Sequence, residues 1–306
     1  MKTEWPQLVA LGEALTDLID DGEGRWLERC GGAPWNVARI MAQWGVDSAF
    51  AGAVSRDCFG ERLLAASRDA GLDLRFLQQY DRSPLLAMVY GTQPPRYFFV
   101  GDDSADLYFD PAALPQGWPQ HAQWALFGGI SLARPPLAGR LLQVAQALKR
   151  QGVRLCYDPN FRVLMDERYD PVLRTMAGLA DVIKVSDEDL HGLFRHHDVT
   201  AALATLQQWQ PQALIMLTRG AAGAELWQGG VCLARCVPPS LRVVDTVGAG
   251  DASMAGLLYS LLTQPEARGA RHVALAVACG SAACQLAGAA VPALAQVRQL
   301  AGLVAA

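Results

Sequence analysis

The hydrophobic positions of the chain form short continuous runs that alternate with longer stretches of helical periodicity. Continuous apolar runs are typical of strands buried on both faces of a sheet, whereas apolar residues three or four positions apart are typical of amphipathic helices. The continuous runs predict strands at residues 8–12, 48–54, 124–127, 153–157, 182–185 and 213–218. The periodic stretches predict helices at residues 34–44, 60–70, 136–151, 169–180, 187–194 and 200–208.

This alternation of strands and helices indicates an α/β fold. A helix between two strands is the usual right-handed crossover of a parallel sheet, because antiparallel neighbours need only a short turn. Strands that are apolar along their whole length also require helices on both faces of the sheet. The sequence therefore predicts a mainly parallel sheet between two layers of helices.

Two segments in the first third of the chain do not follow the alternation. Residues 85–90 and 96–100 predict two strands joined by a turn at 91–95 that contains one glycine and two prolines. Residues 16–19 and 25–28 predict a second pair around the acidic, glycine-containing turn at 20–24. Turn residues between apolar strands are typical of hairpins. We expect both hairpins to form a small sheet that stands off the main sheet as a lid.

Composition and charge exclude several classes of protein. The 306 residues are 51% hydrophobic and 18% charged, which suffices for a large core and excludes a disordered chain. The formal net charge of −4 provides no basic surface for a nucleic acid or an anionic membrane. We therefore expect neither among the partners of this chain.

Cysteine usage and the N-terminal sequence predict a cytoplasmic location. The seven cysteines are odd in number and lack C-x-x-C spacing, so we expect reduced thiols rather than disulfides or zinc ligands. No basic region followed by an apolar one occurs at the N-terminus, so no signal peptide is expected. The uncharged stretch 273–297 is rich in alanine and glycine and contains Pro292, which predicts a helix buried on most sides rather than a membrane span.

The segment with the most distinctive chemistry is the run Asp-Thr-Val-Gly-Ala-Gly-Asp at 245–251, which precedes an apolar helical stretch. A glycine-rich turn that opens a helix presents consecutive backbone N–H groups at the positive end of the helix dipole, and such an arrangement binds anions. Asp251 then has two interpretations: a cap for free N–H groups, or a general base beside the bound anion. The glycines on both sides of Ala249 favour the second, because capping does not require them.

Two other phosphate-binding motifs are excluded. A dinucleotide-binding turn requires a second strand with an acidic residue about 20 positions later, but the element predicted after the helix that begins near residue 251 is another helix. An NAD-dependent dehydrogenase is therefore excluded. A Walker A loop requires a lysine directly after a glycine. The chain has only three lysines (Lys2, Lys149 and Lys184), and none of them follows a glycine.

The same run resembles a known family signature. Residues 245–251 are similar to the C-terminal signature of the ribokinase-like (PfkB) carbohydrate kinases, and Cys-Gly-Gly-Ala-Pro-Trp-Asn-Val-Ala at 30–38 is similar to their N-terminal signature in its fructokinase form. Shorter matches follow the family's order at residues 12–17, 57–60, 158–162, 184–189 and 218–223. The resemblance implies a single domain over 1–306, an α/β/α sandwich of three layers with a mainly parallel sheet. It implies a β-sheet lid from about 13–29 and 85–108.

The resemblance implies roles for residues on the sugar side of the site. Asp251 matches the base that deprotonates the sugar hydroxyl, and the amides of the Gly248-Ala249-Gly250 turn and of Asp251 match the anion hole for the transferred phosphoryl group. Further positions match contacts to the substrate: Asp17, Gly31, Gly32, Asn36, Asn160 and Arg162. Tyr97 in the lid offers an aromatic surface for a flatter or more apolar substrate.

The resemblance also implies ATP, Mg²⁺ and a monovalent cation, K⁺, as cofactors. Lys184, Thr218, Gly220 and Gly223 match nucleotide contacts, and Asp245 with the carbonyl of Val247 matches a monovalent-cation site. The family organises Mg²⁺ through an Asn-x-x-Glu pattern. This chain has Ser186-x-x-Asp189 in its place, so Asp189 is a candidate with a shorter side chain.

Departures from the family pattern leave the substrate open. Residues 98–102 contain no arginine where fructokinase relatives often show one, Ser55 replaces a usual glycine, and Cys279 replaces an asparagine near the adenine. We expect an ATP-dependent kinase for fructose or a similar ketose. A 2-keto-3-deoxygluconate, ribose or nucleoside kinase and a non-catalytic sugar sensor remain alternatives, although a sensor would not need Asp251. The lid also predicts a homodimer that forms through its exposed face.

Overall fold

The computed structural model of the protein describes residues 4–91 and 96–302. Within these residues the strands are β1 (Leu8–Leu11), β2 (Leu15–Asp20), β3 (Trp26–Gly31), β4 (Ser48–Ser55), β5 (Leu77–Tyr80), β6 (Leu86–Tyr90), β7 (Arg96–Val100), β8 (Trp124–Gly128), β9 (Arg154–Asp158), β10 (Val182–Ser186), β11 (Leu214–Thr218), β12 (Ala224–Gln228) and β13 (Val231–Cys236). The α-helices are α1 (Ala33–Gln43), α2 (Cys58–Ala70), α3 (Leu137–Arg150), α4 (Asp170–Leu179), α5 (Asp187–Phe194), α6 (Val199–Trp209), α7 (Ala249–Thr263), α8 (Gly269–Ala283) and α9 (Leu294–Leu300).

The main sheet confirms the predicted α/β architecture. Its strand order is β13-β12-β11-β10-β9-β8-β1-β4-β5 in the described part of the chain. All neighbours from β5 through β11 are parallel, and only the β11–β12 and β12–β13 pairs are antiparallel. The carboxyl ends of the parallel strands therefore lie along one edge, where open α/β sheets bind their ligands.

Helices cover both faces of the main sheet, so the fold has three layers. Side chains of β1 alternate between two cores: Leu8 and Ala10 contribute to one cluster, and Val9 and Leu11 contribute to the other. The first cluster includes residues of α1, α2, α7 and α8, and the second includes residues of α3, α4, α5 and α6. Full burial on both faces explains why the strands are apolar along their length.

A second, smaller sheet has the strand order β3-β2-β6-β7. Both predicted hairpins are present, since β2 pairs antiparallel with β3 and β6 pairs antiparallel with β7, while β2 and β6 run parallel. The turn predicted between β6 and β7 lies mostly outside the described residues, which omit 92–95. Register places Asp17, Ala87, Phe99 and Tyr97 on one face of this sheet, because cross-strand partners share a face.

Local sequence signals explain where several helices begin and end. The carboxylate of Asp57 accepts hydrogen bonds from the amides of Phe59 and Gly60, which caps α2, and Gly71 ends this helix in the left-handed conformation (φ 81°). Ser186 and Asp189 form a reciprocal capping box at the start of α5. These residues therefore begin or end helices close to the predicted boundaries.

The apolar C-terminal region differs from its predicted single helix. Residues 273–297 contain the end of α8, an irregular segment, and the start of α9. α8 is buried along most of its length, as predicted, and its residues pack mainly against α7. The helical prediction was wrong for 284–293, where the chain turns away at Cys284 so that α9 can pack back on α8. Among the described residues, no helix has the length and apolar character needed to cross a bilayer.

The β12–β13 hairpin at the sheet edge was missed by the sequence analysis. Its two-residue turn is Gly229-Gly230, and both glycines have positive φ values of 57° and 78°. A Gly-Gly pair between alternating apolar residues is a strong hairpin signal, because a tight turn of this kind needs left-handed conformations. The signal was therefore present in the sequence.

Candidate active site

The small sheet covers the carboxyl edge of the main sheet. Its residues Leu15, Ala87 and Phe99 pack against Ile130 and Leu164, which follow the ends of β8 and β9. The face that contains Asp17 and Tyr97 therefore points toward the ends of the central strands. A cleft between the two sheets is the place where the predicted site residues can meet.

Asp251 and Asn36 meet in this cleft although they are 215 positions apart. The Nδ2 of Asn36 donates a hydrogen bond of 2.8 Å to Oδ2 of Asp251. Both side chains are buried, with exposed fractions of 5% for Asn36 and 8% for Asp251. Burial raises the pKa of Asp251, and the hydrogen bond from Asn36 opposes that shift. The contact joins the two predicted signature motifs in one site.

The turn before α7 leaves backbone donors open beside Asp251. Gly248 caps the helix with φ 77°, a left-handed conformation that favours glycine. The amide of Ala249 is used within the turn, where it donates to the carbonyl of Thr246. The amides of Gly248, Gly250 and Asp251 have no acceptor in the described part of the chain. Free N–H groups at a helix N-terminus can bind an anion.

Neighbouring groups fix the shape of this turn from two sides. A Cβ atom on Gly248 would lie 2.8 Å from Cβ and 2.9 Å from Cα of Ala289. A Cβ atom on Gly250 would lie 3.2 Å from Nζ of Lys184. The turn is therefore packed between the backbone of the 288–289 loop and the end of a lysine side chain. Only the lysine can move aside readily.

Lys184 lies beneath this turn and is paired with a buried carboxylate. Its Nζ is 3.1 Å from Oδ1 of Asp158, and both side chains are 5% exposed. Burial raises the pKa of Asp158 to about 7 despite the nearby ammonium group. The other carboxylate oxygen, Oδ2, is buried and accepts no hydrogen bond from the described residues. A nucleotide contact was predicted for Lys184 from the family resemblance, whereas no role was predicted for Asp158.

Asp17 lies on the lid, where the charges of Asp251 and Arg162 act on its carboxylate. Burial, together with repulsion by Asp251, raises the pKa of Asp17 to about 6, and the positive charge of Arg162 opposes this shift. A Cβ atom on Gly31 would lie 2.3 Å from Oδ2 of Asp17, so the bare backbone at Gly31 makes room for this carboxylate. Gly32 has φ 112°, and a Cβ there would lie 2.4 Å from the carbonyl oxygen of Glu13.

Asn160, Arg162 and Tyr97 form the opposite wall. Nη1 of Arg162 donates a hydrogen bond of 2.8 Å to Oδ1 of Asn160, which has the left-handed φ of 48°. The guanidinium carbon of Arg162 lies 5.6 Å from the centre of the Tyr97 ring. This geometry is a cation–π contact between the strand-end loop and the lid. The lid and the main sheet therefore already touch at predicted site residues.

Both carboxylate oxygens of Asp189 accept hydrogen bonds from backbone amides. Oδ2 accepts a hydrogen bond of 2.8 Å from the amide of Ser186, and Oδ1 accepts one of 2.8 Å from the amide of Phe161. Its side chain therefore connects the start of α5 to the loop that contains Asn160 and Arg162. This arrangement supports a structural part for Asp189 in holding that loop.

In the glycine turn after β11, one glycine has open surroundings and the other is packed against β13. Thr218 lies beside Ser186 in the β10–β11 register, at the carboxyl edge of the sheet. Gly220 has φ 50°, and a Cβ atom there would meet nothing within 4 Å, so its surroundings are open. Gly223 has φ 95°, and a Cβ would lie 2.0 Å from the carbonyl oxygen of Cys236. Gly223 therefore permits the close approach of β13.

Asp245 anchors two segments that flank the turn. Its Oδ1 accepts a hydrogen bond of 3.0 Å from the amide of Val247, and its Oδ2 accepts one of 2.8 Å from the amide of Gly288. Each oxygen retains a lone pair. The carboxylate thus holds the 288–289 loop against the segment that leads into Gly248.

Glu13 follows the end of β1 and holds the segment after β8 by hydrogen bonds, a role that was not predicted from the sequence. Its carboxylate accepts hydrogen bonds from the amides of Ile130 and Ser131 and one of 2.6 Å from the Ser131 hydroxyl. Burial raises the pKa of Glu13 to about 7, above the ordinary value of 4.5. The signal available in the sequence was a carboxylate directly after a buried strand.

The raised pKa of Glu13 predicts a pH-dependent stability. Between pH 4.5 and 7 the unfolded chain loses the Glu13 proton while the folded chain retains it, so the free energy of unfolding falls as pH rises through this window. We expect Glu13→Gln to remove this loss, which amounts to at most about 3 kcal/mol. Urea unfolding of both proteins at pH 5 and pH 8 measures the effect.

The test depends on the slope with pH, because glutamine also alters the hydrogen bonds at this position. The difference in unfolding free energy between variant and wild type should move in favour of the variant from pH 5 to pH 8. Glu61→Gln, on the exposed face of α2, is the matched control and should leave the slope unchanged. A difference that stays constant over this range would contradict the assignment.

The chain is similar to known proteins in both its sequence and its fold. A family model described as pfkB family carbohydrate kinase matches residues 6–296. The chain is 35% identical over 292 residues to a fructokinase of Klebsiella pneumoniae, covering 91% of this chain and 93% of that protein. It is 32% identical over 289 residues to a fructokinase of Escherichia coli, with the same coverage of 91% and 93%.

Solved structures with the same fold include several kinases with bound ligands. Fructokinase from Xylella fastidiosa with bound ATP has a TM-score of 0.87 and 26% identity, over 96% of this chain and 98% of that chain. Fructokinase from Vibrio cholerae O395 (double mutant) with fructose, ADP and potassium ion has a TM-score of 0.83 and 27% identity, over 97% and 99%. Aminoimidazole riboside kinase from Salmonella enterica, complexed with its riboside and an ATP analogue, has a TM-score of 0.83 and 27% identity, over 96% and 99%.

Proposed function

The chain belongs to the pfkB family of carbohydrate kinases, and from this premise we propose that it transfers the γ-phosphoryl group of ATP to a primary hydroxyl of D-fructose or a similar ketose. The observation that supports this most strongly is the contact of Asn36 with Asp251 beside the open amides of α7. An amide, a buried carboxylate and an anion-binding turn are the groups needed to hold a hydroxyl, deprotonate it and hold the phosphoryl group.

Asp251 is the proposed general base. Its buried carboxylate has a raised pKa, which makes it a better proton acceptor than an exposed aspartate. The hydrogen bond from Asn36 fixes Oδ2, so Oδ1 is the oxygen that would accept the hydroxyl proton. The open amides of Gly250 and Asp251 would bind the phosphoryl group next to this oxygen, with the bend at Gly248 and Ala249 shaping the turn.

The sugar would bind between the lid and the main sheet. Asp17 would accept hydrogen bonds from hydroxyl groups of the sugar, and the amide of Asn36 would both donate and accept them. Because Gly31 and Gly32 have no side chains, the sugar could approach the backbone closely at these two positions. Arg162, oriented by Asn160, would contact the substrate from the strand-end loop. Contact of the lid residue Tyr97 with Arg162 would close the cleft and exclude water.

The nucleotide would lie along the outer part of the same edge. Thr218 and Gly220 form the open turn that we propose for contacts to ATP, and Gly223 shapes this turn by its approach to β13. Lys184 is buried beneath Gly250, so its proposed contribution is a positive field under the phosphates. Asp189 would act indirectly, by holding the loop of Asn160 and Arg162.

Donor atoms for metal ions are few, and they fit ions that are held mainly by the nucleotide. No cluster of three or more His, Cys, Asp or Glu side chains suited to a metal occurs among residues 4–91 and 96–302. The unpaired Oδ2 of Asp158 fits Mg²⁺, which commonly binds one or two carboxylates together with substrate phosphates and neutralises their charge. Asp245 and the carbonyl of Val247 are oxygen donors that fit K⁺.

A phosphorylated riboside is the second candidate product. Tyr97 presents an aromatic ring that is 41% exposed on the cleft side of the lid. An aromatic base could stack on this ring, as bases do on aromatic side chains in general. The lid segment 98–102 also contains no arginine. These features suit a substrate with a flat apolar part.

A substrate panel distinguishes the candidates. ADP formation is followed with fructose, ribose, 2-keto-3-deoxygluconate, a ribonucleoside and aminoimidazole riboside under identical conditions. The proposal predicts that kcat/KM for fructose exceeds that for every other compound by at least about 10-fold, equivalent to about 1.4 kcal/mol of discrimination. A preference for a riboside would replace fructose as the substrate. No ADP formation with any compound would reject the kinase assignment.

We also propose a homodimer that forms through the outer face of the lid. Trp26, Tyr90, Phe98 and Val100 lie on the face opposite Asp17 and are 45%, 38%, 49% and 48% exposed. Exposed aromatic residues clustered on one sheet face indicate an interaction surface. A second copy of the chain is the proposed occupant, because two such faces would cover each other symmetrically.

Phe98→Glu should convert this dimer into a monomer, because it places two like charges in the centre of an apolar interface. Sedimentation equilibrium at micromolar concentration measures the effect. Val231→Glu also introduces a glutamate at an exposed apolar residue, here a 60% exposed position of the edge strand β13 in the main sheet, and should leave the dimer intact. A wild-type protein that is monomeric at these concentrations would contradict the proposal.

A further inference from the structure

Arg39 lies one helical turn after Asn36 on α1 and was not among the residues expected at the site. Its Nη2 is 3.3 Å from Oδ1 of Asn36, and Asn36 in turn donates to Asp251. Residues three positions apart share a helix face. Nη2 of Arg39 therefore helps to orient the side-chain amide of Asn36, which contacts the proposed base Asp251.

The same nitrogen also reaches the loop behind the phosphate-binding turn. Nη2 of Arg39 donates a hydrogen bond of 2.5 Å to the carbonyl oxygen of Ala289. Ala289 is the residue that a Cβ on Gly248 would meet, and the neighbouring amide of Gly288 is held by Asp245. Arg39 thus connects the base and its partner amide, on one side, with the loop that packs against the turn, on the other.

The surroundings of Arg39 indicate that stability alone does not account for this arginine. Its guanidinium lies 4.3 Å from the centre of the Trp35 ring, which orients it. The Nε atom, however, is buried and has no hydrogen-bond acceptor in the described part of the chain. An unpaired buried donor costs stability. A role in positioning its neighbours would explain why a charged side chain with an unpaired Nε occupies this buried position.

We propose that Arg39 is a positioning residue that couples Asn36 to the 288–289 loop and so fixes the orientation of the Asp251 carboxylate relative to the phosphate-binding amides. This inference rests on the proposed kinase function and adds a residue to its machinery. Phosphoryl transfer depends on the placement of the base and of the anion-binding groups, so a small displacement of either slows the reaction. Arg39 touches neither substrate nor nucleotide in this account and acts through Asn36 and the loop.

Arg39 also adds a positive charge near the base. Its charge opposes the raised pKa of Asp251, as do the charges of Lys184 and Arg162. The other groups that face Asp251 are the amide of Asn36 and the carboxylates of Asp17 and Asp158. The thiol of Cys30, on the end of β3, faces Arg39 itself. Removal of the Arg39 charge should therefore shift the acid limb of the kcat profile to higher pH.

Two variants separate position from charge. Arg39→Lys retains the charge but presents a single ammonium group, which does not reproduce the planar guanidinium geometry against Asn36, Ala289 and the Trp35 ring. Arg39→Gln removes the charge as well. We expect kcat to fall about 10- to 100-fold in both, with KM for fructose and ATP changed less than about threefold. Only Arg39→Gln should shift the acid limb, by about half a pH unit.

The experiment measures kcat and KM for fructose and ATP from pH 5 to pH 8, together with Tm, for wild type, both variants and Arg68→Gln. Arg68 is exposed in the last turn of α2, so this control should behave as wild type. An inactive wild-type protein would reject the kinase assignment and this inference with it. If the wild type is active, two results would overturn the role of Arg39 and leave the kinase assignment standing. One is an unaltered kcat in folded Arg39→Lys, and the other is an acid limb at the same pH in Arg39→Lys and Arg39→Gln.

Discussion

Replacement of Asp251 by asparagine is expected to lower kcat by at least about 100-fold, the lower end of the loss expected for a missing general base. Asparagine retains the size of the side chain, and its carbonyl oxygen can still accept the hydrogen bond that Asn36 donates to Asp251. It cannot accept a proton from the sugar hydroxyl. The variant therefore removes the proposed chemistry while it preserves the local geometry.

Steady-state kinetics with fructose and ATP measure this loss, and KM values should change far less than kcat, because both ligands still bind. Asp69→Asn on the exposed part of α2 makes the same chemical change away from the cleft and should retain full activity. Turnover near the wild-type rate in folded Asp251→Asn would reject Asp251 as the base.

Replacement of Gly248 by alanine should lower kcat by about 100- to 1000-fold, the range found when a preorganised anion-stabilising donor is lost. The new Cβ would lie 2.8 Å from Cβ and 2.9 Å from Cα of Ala289, and neither atom can move without the loop. The φ of 77° adds a left-handed strain of about 1–2 kcal/mol for a residue with a side chain. The turn should shift, and its free amides should lose their alignment with Asp251.

Gly250→Ala is the internal comparison for this prediction. Its Cβ would meet only the flexible end of Lys184, at 3.2 Å, so we expect a loss of about tenfold, which corresponds to about 1.4 kcal/mol. Gly139→Ala lies within α3, where a Cβ meets nothing within 4 Å, and should leave kcat unchanged. Because alanine is the better helix former, Gly139→Ala should slightly raise Tm. A Gly248→Ala enzyme that is as active as Gly250→Ala would contradict the proposed role of the turn.

The parts of the fold that could be predicted are those that depend on neighbouring residues. Apolar runs gave six of the seven parallel strands of the main sheet within a residue or two of the observed bounds (8–11, 48–55, 124–128, 154–158, 182–186 and 214–218), because burial on both faces requires apolar residues at every position. The seventh strand, β5 at the sheet edge, was missed, because it is only half-buried and has no continuous apolar run. The proposed phosphate-binding turn was also visible, because its glycines and Asp251 are adjacent in the sequence. The Ala249 amide, which the turn uses internally, was not distinguishable from its neighbours.

The parts that could not be predicted depend on contacts between distant segments. The pairing of Lys184 with Asp158 requires the register of two neighbouring strands, and the link from Arg39 to Ala289 spans 250 positions. Glu13 and Asp158 are buried carboxylates whose raised pKa values arise from desolvation, which only the packed structure determines. Lys184 is the third residue of β10, and its burial under Gly250 follows from the fold.

The proposed reaction of this site is the transfer of phosphate from ATP to a sugar hydroxyl through Asp251. The most direct measurement incubates the wild-type protein with ATP, Mg²⁺ and fructose, and quantifies ADP and the sugar phosphate by mass spectrometry and ³¹P NMR. We expect one fructose phosphate per ADP, with the phosphate on a primary carbon, and little ADP when fructose is omitted or Asp251→Asn is used. Equal ADP formation with and without sugar, or no sugar phosphate from the folded protein, would contradict it.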